Sequence, residues 1–211
     1  MNKFILTLTK WTAWPAYFAC FRTKIHYEDK KVQGRHISGP AILISNHTSV
    51  YDFAVFLFVF FSRTLRYQMA EVLFKKKLLG WFLRAMGGIY IDRNNYNFSF
   101  VEKSEEILHE GGIVGIFPEG RIPLKGEERP LPFKPSAAYI ALKSDVPVIP
   151  VYTNGSYFKK KRAHVMIGTP MYVSDYYDDS LTEKENLKKI SSILRNKIME
   201  LGNELREKTE I

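Results

Sequence analysis

The stretch Ala41-Ile-Leu-Ile-Ser-Asn-His-Thr-Ser-Val-Tyr-Asp52 joins an apolar strand pattern to an apolar helix pattern. The continuous apolar character of its first residues predicts a strand buried on both faces. Residues 53–61 are also apolar but too few to span a bilayer, so they predict a buried helix that Ser49 or Asp52 could cap. A histidine and a carboxylate, His47 and Asp52, therefore lie at a strand-to-helix junction.

The same alternation of strand and helix patterns continues along the chain. Prolines at 147 and 150 interrupt one extended run, and we expect that run at a strand start, a bulge or a sheet edge. The sequence Thr182-Glu-Lys-Glu185 is a capping box that opens a long amphipathic helix. We therefore predict a single α/β domain, with a mostly parallel twisted sheet flanked by helices. Strand patterns occur at residues 41–45, 65–70, 88–92, 113–117, 146–152 and 163–168, and helix patterns at 53–61, 72–86, 98–109 and 137–143.

Length and composition favour one domain with one sizeable core, because 45% of the 211 residues are apolar. Lys and Arg number 31 against 22 Asp and Glu, and the resulting charge of +9 favours phosphates, anionic lipid, an acidic carrier protein or nucleic acid. Nucleic-acid binding is not expected, because no known nucleic-acid-binding motif accompanies the basic residues. The single cysteine, Cys20, excludes an intrachain disulfide and a multi-cysteine zinc site.

Residues 1–24 predict a helix that lies in a membrane interface. Aromatic and aliphatic residues recur at helical spacing, basic residues accompany them, and no acidic residue precedes Glu28. Lys10 splits the apolar run, which argues against a signal peptide and leaves the segment short of the roughly 20 apolar residues of a spanning helix. A short spanning helix and a helix that packs its aromatic residues on the domain's own core are the two alternatives.

His47 and Asp52 have the chemistry of a base and its orienting group. A histidine titrates near neutrality and can take a proton from a hydroxyl, while a carboxylate fixes its tautomer. If the hydroxyl belongs to a substrate, no protein nucleophile is required. Two other interpretations stay open: the pair could cap the helix, or Ser45 or Ser49 could be a nucleophile, although no Gly-x-Ser-x-Gly elbow is present.

Two further strand ends carry charged residues. Phe117-Pro-Glu-Gly-Arg121 follows a strand pattern, so its carboxylate and guanidinium would face a ligand crevice at the carboxyl end of a sheet. Gly88-Ile-Tyr-Ile-Asp-Arg93 ends in an arginine that could bind a phosphate through two parallel hydrogen bonds. Each stretch alone is equally compatible with a solvated turn, but together with His47 they indicate chemistry on an anionic substrate.

In their order and spacing, four stretches resemble the four motif blocks of the glycerolipid acyltransferases, in particular the bacterial type that acts on 1-acyl-glycerol-3-phosphate. The resemblance covers roughly residues 35–170, and four ordered blocks are far more specific than any one of them. The stretches are Asn46 to Asp52, Gly88 to Arg93, Phe117 to Gly120 and Val146 to Val151.

This resemblance implies transfer of a fatty acyl group from a coenzyme A or acyl carrier protein thioester to the free hydroxyl of a lysophospholipid. The reaction would take place at the cytoplasmic face of the membrane, without a metal or other cofactor. Residues 25–211 would form the acyltransferase domain, with a glycerol-3-phosphate acyltransferase-like fold, and residues 1–24 its membrane-binding helix.

The resemblance also implies roles for single residues. His47 would be the general base and Asp52 its orienting carboxylate, while backbone N–H groups beside the following helix could stabilise the oxyanion. The fourth block would be structural or line the acyl site. The residues expected to bind the acceptor are Asn46, Arg93, Glu119, Gly120, Arg121 and Lys134.

The sequence departs from the family pattern at two places that bear on the acceptor. The family usually has Glu-Gly-Thr-Arg-Ser, whereas Arg121 follows Gly120 directly, so its guanidinium lies one position early. A second common pattern, Phe-Lys-x-Gly-Ala, here reads Phe133-Lys-Pro-Ser-Ala137, which keeps Lys134 but loses the glycine. A different lysolipid or an amino-acid lipid is therefore an alternative acceptor, and a membrane-binding protein without activity is a further alternative.

Overall fold

A computed structural model of the chain describes residues 1–92, 98–158 and 162–209. Its strands are β1 Lys24–Tyr27, β2 Ala41–Ser45, β3 Leu65–Ala70, β4 Ile89–Ile91, β5 Ile113–Ile116, β6 Val148–Thr153 and β7 His164–Ile167. Its helices are α1 Lys3–Phe21, α2 Asp52–Val59, α3 Glu71–Phe74, α4 Lys77–Ala85, α5 Ser99–His109, α6 Ser136–Ser144 and α7 Glu183–Thr209, with a 3₁₀ turn at Val173–Tyr176.

The strands form one sheet in the order β1-β7-β6-β2-β5-β3-β4. All neighbouring pairs are parallel except β6 and β7. The prediction of a mostly parallel sheet flanked by helices is confirmed. Strand β2 lies in the middle, between β5 and β6, so the carboxyl ends of these three parallel strands meet at one edge of the sheet.

Helices cover both faces of the sheet because strand residues alternate between two apolar clusters. On β2, Leu43 packs with residues of α1, α2 and α4, while Ile42 and Ile44 pack with residues of α5, α6 and α7. The strand is fully buried, as its continuous apolar run predicts.

Of the three positions expected for the proline-containing run, the sheet edge is wrong because β6 pairs with strands on both sides, whereas the strand start is correct for Pro147. Pro147 precedes the strand, but Pro150 lies within it. The carbonyl of Pro150 accepts a hydrogen bond from Gly168 N at 2.8 Å, just past the end of β7. Pro150 thus lies one position beyond the last paired residue of β6 in the ladder to β7, so the donor that a proline lacks is missing at the end of this ladder and not in its middle.

Helix α1 packs on the domain with one face and exposes the other. Leu6, Lys10 and Tyr17 are buried, and Tyr17 stacks on Phe58 of α2 with ring centroids 4.5 Å apart. The helix ends at Phe21 and Lys24 already belongs to β1, so the expected boundary after residue 24 falls inside the sheet. In the described part of the chain, no helix is both long enough and apolar enough to cross a membrane.

Candidate active site

Three loops that follow β2, β5 and β6 meet at the carboxyl edge of the sheet. They carry His47, Glu119 and Tyr157, respectively. Ligands of open α/β sheets bind at such an edge, because the loops there project beyond the strands. The parallel pairing of β2 with both neighbours therefore brings together residues that are far apart in sequence.

His47 and Asp52 form the hydrogen bond that their spacing predicts. The distance from His47 Nδ1 to Asp52 Oδ2 is 2.8 Å. With Nδ1 directed at the carboxylate, Nε2 is the ring nitrogen left to exchange a proton with a ligand. The pair therefore has the geometry of a base and its orienting group.

Asp52 is fully buried and its carboxylate is saturated with donors. The backbone N–H groups of Thr48 and Ser49 donate to Oδ2 at 2.7 and 2.9 Å. The hydroxyls of Thr48 and Tyr157 both donate to Oδ1 at 2.8 Å. The alternative of a simple helix cap is not what the structure has, because Tyr51 is the N-cap of α2 and makes no side-chain cap hydrogen bond.

Glu119 supports the histidine from the other side. Its Oε1 accepts a hydrogen bond from the backbone N–H of His47 at 2.6 Å, and its Oε2 accepts one from Leu131 N at 2.8 Å. The side chain is only 4% exposed. Burial raises the pKa of Glu119, while the two backbone donors act in the opposite direction.

The imidazole ring of His47 also has a fixed plane, because it stacks on Phe117. The ring centroids are 4.3 Å apart and the planes differ by 14°. Phe117 stacks in turn on Tyr67 at 5.3 Å. Gly115 makes room for this arrangement, since a Cβ there would lie 2.3 Å from the Tyr67 ring.

His47 lines a cavity of about 1370 Å³ that extends from the strand ends between the helices. One part of its wall is apolar, with Met69, Leu73, Leu83 and Phe100 among its residues. The lining also includes three basic side chains, Arg121, Lys134 and Lys143, and two acidic ones, Asp92 and Glu102. The imidazole thus borders a space that suits an amphiphilic molecule with an anionic group.

Besides Glu119, three of the six expected acceptor-binding residues line this cavity, namely Gly120, Arg121 and Lys134. Arg121 donates hydrogen bonds from Nη1 and Nη2 to the carboxylate of Glu127, at 2.6 and 2.7 Å. This pairing lowers the pKa of Glu127 to about 2. Gly120 also lines the cavity, at φ +71°, and a Cβ there would lie 2.7 Å from Lys134 Cε. Glycine at 120 therefore keeps space for the lysine side chain.

The other two expected acceptor-binding residues are less direct candidates. Asn46 is buried, and its amide exchanges two hydrogen bonds with the backbone of Thr153, both at 2.9 Å. That pairing fixes the ends of β2 and β6 relative to each other, which is a structural role. Arg93 lies outside the described residues.

The expected oxyanion donors are not available beside α2. The N–H of His47 is bound to Glu119, and those of Thr48 and Ser49 are bound to Asp52. That expectation is wrong for these three groups. The backbone here is used to fix the two carboxylates instead.

Residues 22–154 match the model of the family described as Acyltransferase, which is more than half of the chain. The chain belongs to the acyltransferase family. The enzyme contains the His47 and Asp52 pair within this matched part, and the alternative of a membrane-binding protein without activity is thereby excluded.

Several known proteins are similar to this acyltransferase. The 1-acyl-sn-glycerol-3-phosphate acyltransferase of Bacillus subtilis is 32% identical over 146 residues, which cover 67% of this chain and 70% of that protein. The human 1-acyl-sn-glycerol-3-phosphate acyltransferase beta is 28% identical over 62% of this chain and 48% of its own length. The crystal structure of the 1-acyl-sn-glycerophosphate acyltransferase PlsC from Thermotoga maritima matches with a TM-score of 0.67 at 22% identity, covering 95% of this chain and 80% of that one, and supports the fold.

Sequence reasoning missed two polar residues of the acyltransferase site, Tyr157 and Thr153. Tyr157 lies 105 positions from Asp52, whose carboxylate its hydroxyl contacts. No spacing rule connects such distant residues. The signal that could have found them is the topology itself, because β6 lies beside β2 and its following loop must reach the same edge.

Among the described residues, no group of three His, Cys, Asp or Glu side chains could hold a metal ion.

Proposed function

We propose that the acyltransferase moves a fatty acyl group from a coenzyme A or acyl carrier protein thioester to the free hydroxyl of 1-acyl-glycerol-3-phosphate. The product would be phosphatidic acid, an intermediate of phospholipid biosynthesis. The observation that carries the proposal is the position of His47, which is paired with Asp52 and borders a cavity with apolar and basic walls. The printed activities of the Bacillus and human relatives support the same acceptor.

In this mechanism His47 Nε2 accepts the proton of the acceptor hydroxyl as its oxygen attacks the thioester carbonyl carbon. Asp52 stabilises the imidazolium that forms. When the tetrahedral intermediate collapses, the carbon–sulfur bond breaks, and the imidazolium returns the proton to the departing thiolate. Atoms and charges then balance, and no metal or cofactor beyond the acyl donor is required.

The cavity walls suggest how the acceptor binds. The apolar wall would hold acyl chains, because burial of each methylene is favourable by about 0.8 kcal/mol. Lys134 would attract the phosphate of the acceptor, and Lys143, which is paired with Glu105 at 3.1 Å, would contribute only by sharing its charge. Arg121 is already engaged with Glu127, so it would contact the phosphate only by sharing its donors.

Because Arg121 is paired with Glu127, a second class of acceptor is also considered. The family pattern places an arginine one position later, and here the nearest guanidinium has a carboxylate partner. A lysolipid or amino-acid lipid without a phosphate monoester would need fewer cations. This acceptor class is therefore tested beside the first.

The proposed location is the cytoplasmic face of the cell membrane, with the protein attached peripherally. The lysophospholipid lies in the bilayer, whereas the thioester donor is in the cytoplasm. Exposed aromatic residues on α1, together with the net charge of +9, suit an anionic lipid surface. An acidic acyl carrier protein would be attracted by the same positive charge.

The decisive experiment measures thiol release and acylated product for the purified protein with both thioester donors and a panel of lysolipids. We expect turnover with 1-acyl-glycerol-3-phosphate and a loss of at least a hundredfold in kcat for His47→Ala. Equal rates for wild type and His47→Ala would refute the mechanism. A preference for acceptors without a phosphate monoester would refute the proposed acceptor and leave the reaction intact.

A further inference from the structure

Tyr157 is a buried tyrosine whose hydroxyl makes its hydrogen bonds next to His47 and Asp52. It is 6% exposed, and its O–H donates to Asp52 Oδ1 at 2.8 Å. The same oxygen lies 2.9 Å from Thr153 Oγ1. Because the single Tyr157 proton points at Asp52, Thr153 must be the donor in the second bond, and Thr153 Oγ1 accepts from Gly155 N at 3.2 Å. A directed chain of hydrogen bonds therefore ends at the carboxylate.

The loop that carries Tyr157 is held tightly against the His47 loop. Gly155 has φ +64°, and a Cβ there would lie 2.5 Å from Thr48 Oγ1. The Tyr157 ring packs edge-on against Phe21 of α1, with centroids 5.4 Å apart. Neither the ring nor the hydroxyl of Tyr157 lines the cavity. The residue is placed to act on Asp52, and a contact with substrate is not its role.

The two oxygens of Asp52 have separate sets of partners, and this division shows what Tyr157 contributes. Oδ2 accepts from His47 and two backbone N–H groups, whereas Oδ1 accepts only from the hydroxyls of Thr48 and Tyr157. Rotation of the carboxylate about its terminal bond would take Oδ2 away from His47. Donors on Oδ1 oppose that rotation. Burial and the nearby carboxylate raise the pKa of Tyr157, so its hydroxyl remains a donor in the range where the enzyme works.

We propose that Tyr157 is a positioning residue of the acyl-transfer reaction, which fixes Asp52 Oδ1 so that Oδ2 stays directed at His47 Nδ1. This inference rests on the proposed function, in which His47 is the base. Thr153 assists by orienting the Tyr157 hydroxyl. The loop after β6 thereby belongs to the catalytic machinery through its contact with Asp52.

The test is Tyr157→Phe, which keeps the ring against Phe21 and removes only the hydroxyl. The matched control is Tyr152→Phe on the preceding strand β6, whose ring packs against Gly202 of α7. Loss of a hydrogen bond to a charged group lowers a rate by about tenfold to hundredfold. We expect kcat to fall by that factor in Tyr157→Phe, KM for donor and acceptor to stay within about twofold, and Tyr152→Phe to match the wild type.

A second arm separates positioning from general support of the fold. In a His47→Ala background Tyr157→Phe should cost nothing further in residual rate, because the carboxylate no longer has an imidazole to orient. Additive losses, or a fall in kcat equal to that of Tyr152→Phe, would overturn the proposal. Thr153→Val should give a smaller loss of kcat than Tyr157→Phe.

A third arm does not depend on turnover, so it distinguishes failure of this inference from failure of the proposed function. The Nδ1 proton between His47 and Asp52 should give a low-field proton resonance in the ligand-free protein. We expect it to shift or broaden in Tyr157→Phe and to be unchanged in Tyr152→Phe. An unchanged resonance in Tyr157→Phe would refute the positioning role even if the enzyme acylates a different acceptor.

Discussion

Two buried carboxylates hold one histidine, and they do so at different atoms. Asp52 binds the imidazole ring, whereas Glu119 binds the backbone N–H of His47. A carboxylate can accept at both oxygens without donating, which suits Glu119 because both of its neighbours are N–H donors. The geometry therefore favours positioning over phosphate binding as the role of Glu119, since a carboxylate would repel a phosphate.

Glu119→Gln tests this role. The amide would present an NH₂ group to one of the two backbone N–H donors, and that donor would be left buried without an acceptor. We expect kcat to fall by about tenfold or more, with a smaller effect on KM, measured by thiol release from the acyl donor. A rise in acceptor KM with unchanged kcat would instead assign Glu119 to acceptor binding. Glu128→Gln, an exposed residue in the same segment, is the control.

At the scale of elements, patterns that depend on near neighbours were predicted well. Strand β3 has the bounds that its alternation predicts, and the capping box of α7 is present, with Thr182 N donating to Glu185 Oε2 at 2.9 Å. The hydrogen bond of His47 to Asp52 belongs to the same class, because the two residues are five positions apart in one loop.

The features that sequence reasoning missed depend on distant neighbours. Strand β1 contains Lys24 and His26 and has no apolar pattern, yet it forms because β7 offers it a free edge. The expected helix over residues 72–86 is two helices, α3 and α4, and Gly80 packs so closely on Phe74 that a Cβ would lie 2.5 Å from its carbonyl oxygen. The contacts of Glu119 and Tyr157 likewise exist only once the strand order is known.

Lys10 fixes α1 to the domain in a way that the sequence does not reveal. Its Nζ donates to the carbonyls of Phe61 at 2.7 Å and Arg63 at 3.0 Å, just past the end of α2. These carbonyls would otherwise lack partners. Burial lowers the pKa of Lys10 from 10.5 to about 8. The neutral amine still has two N–H groups for the two carbonyls.

This lowered pKa predicts a pH dependence for the packing of α1. Between about pH 8 and 10.5 the unfolded chain holds a proton on Lys10 that the folded chain has lost, so folding is favoured as the pH rises through this window. We expect the thermal midpoint of the wild type, relative to Lys10→Met, to rise by about 3 °C from pH 7.5 to 9.5. Lys3→Met, on the exposed face of the same helix, should show the same pH dependence as the wild type. If the difference in thermal midpoint between the wild type and Lys10→Met falls with rising pH, Lys10 is not desolvated.

On the scale of the whole molecule, the helix with the exposed apolar face meets a helix that lines the catalytic cavity. Asn2 N donates to Ala85 O at 2.9 Å, so the start of α1 meets the end of α4. Leu79 and Leu83 of α4 line the cavity. The outer face of α1 exposes large apolar side chains, and these are Phe4, Leu8, Trp11, Trp14 and Phe18.

The proposed membrane attachment predicts that the exposed aromatic residues of α1 contribute to lipid binding. Trp11 is 70% exposed, and transfer of such a side chain from water into lipid is favourable by about 1.5–3 kcal/mol. We expect Trp11→Ser with Trp14→Ser to weaken binding to anionic vesicles by about a hundredfold in a sedimentation assay, while Leu124→Ser, a similarly exposed residue outside α1, should have no effect. Activity on a monomeric short-chain acceptor should persist in the double variant, because neither tryptophan contacts His47, Asp52 or the cavity beside them. Equal vesicle binding by all three proteins would mean that α1 stabilises the domain without attaching it to the bilayer.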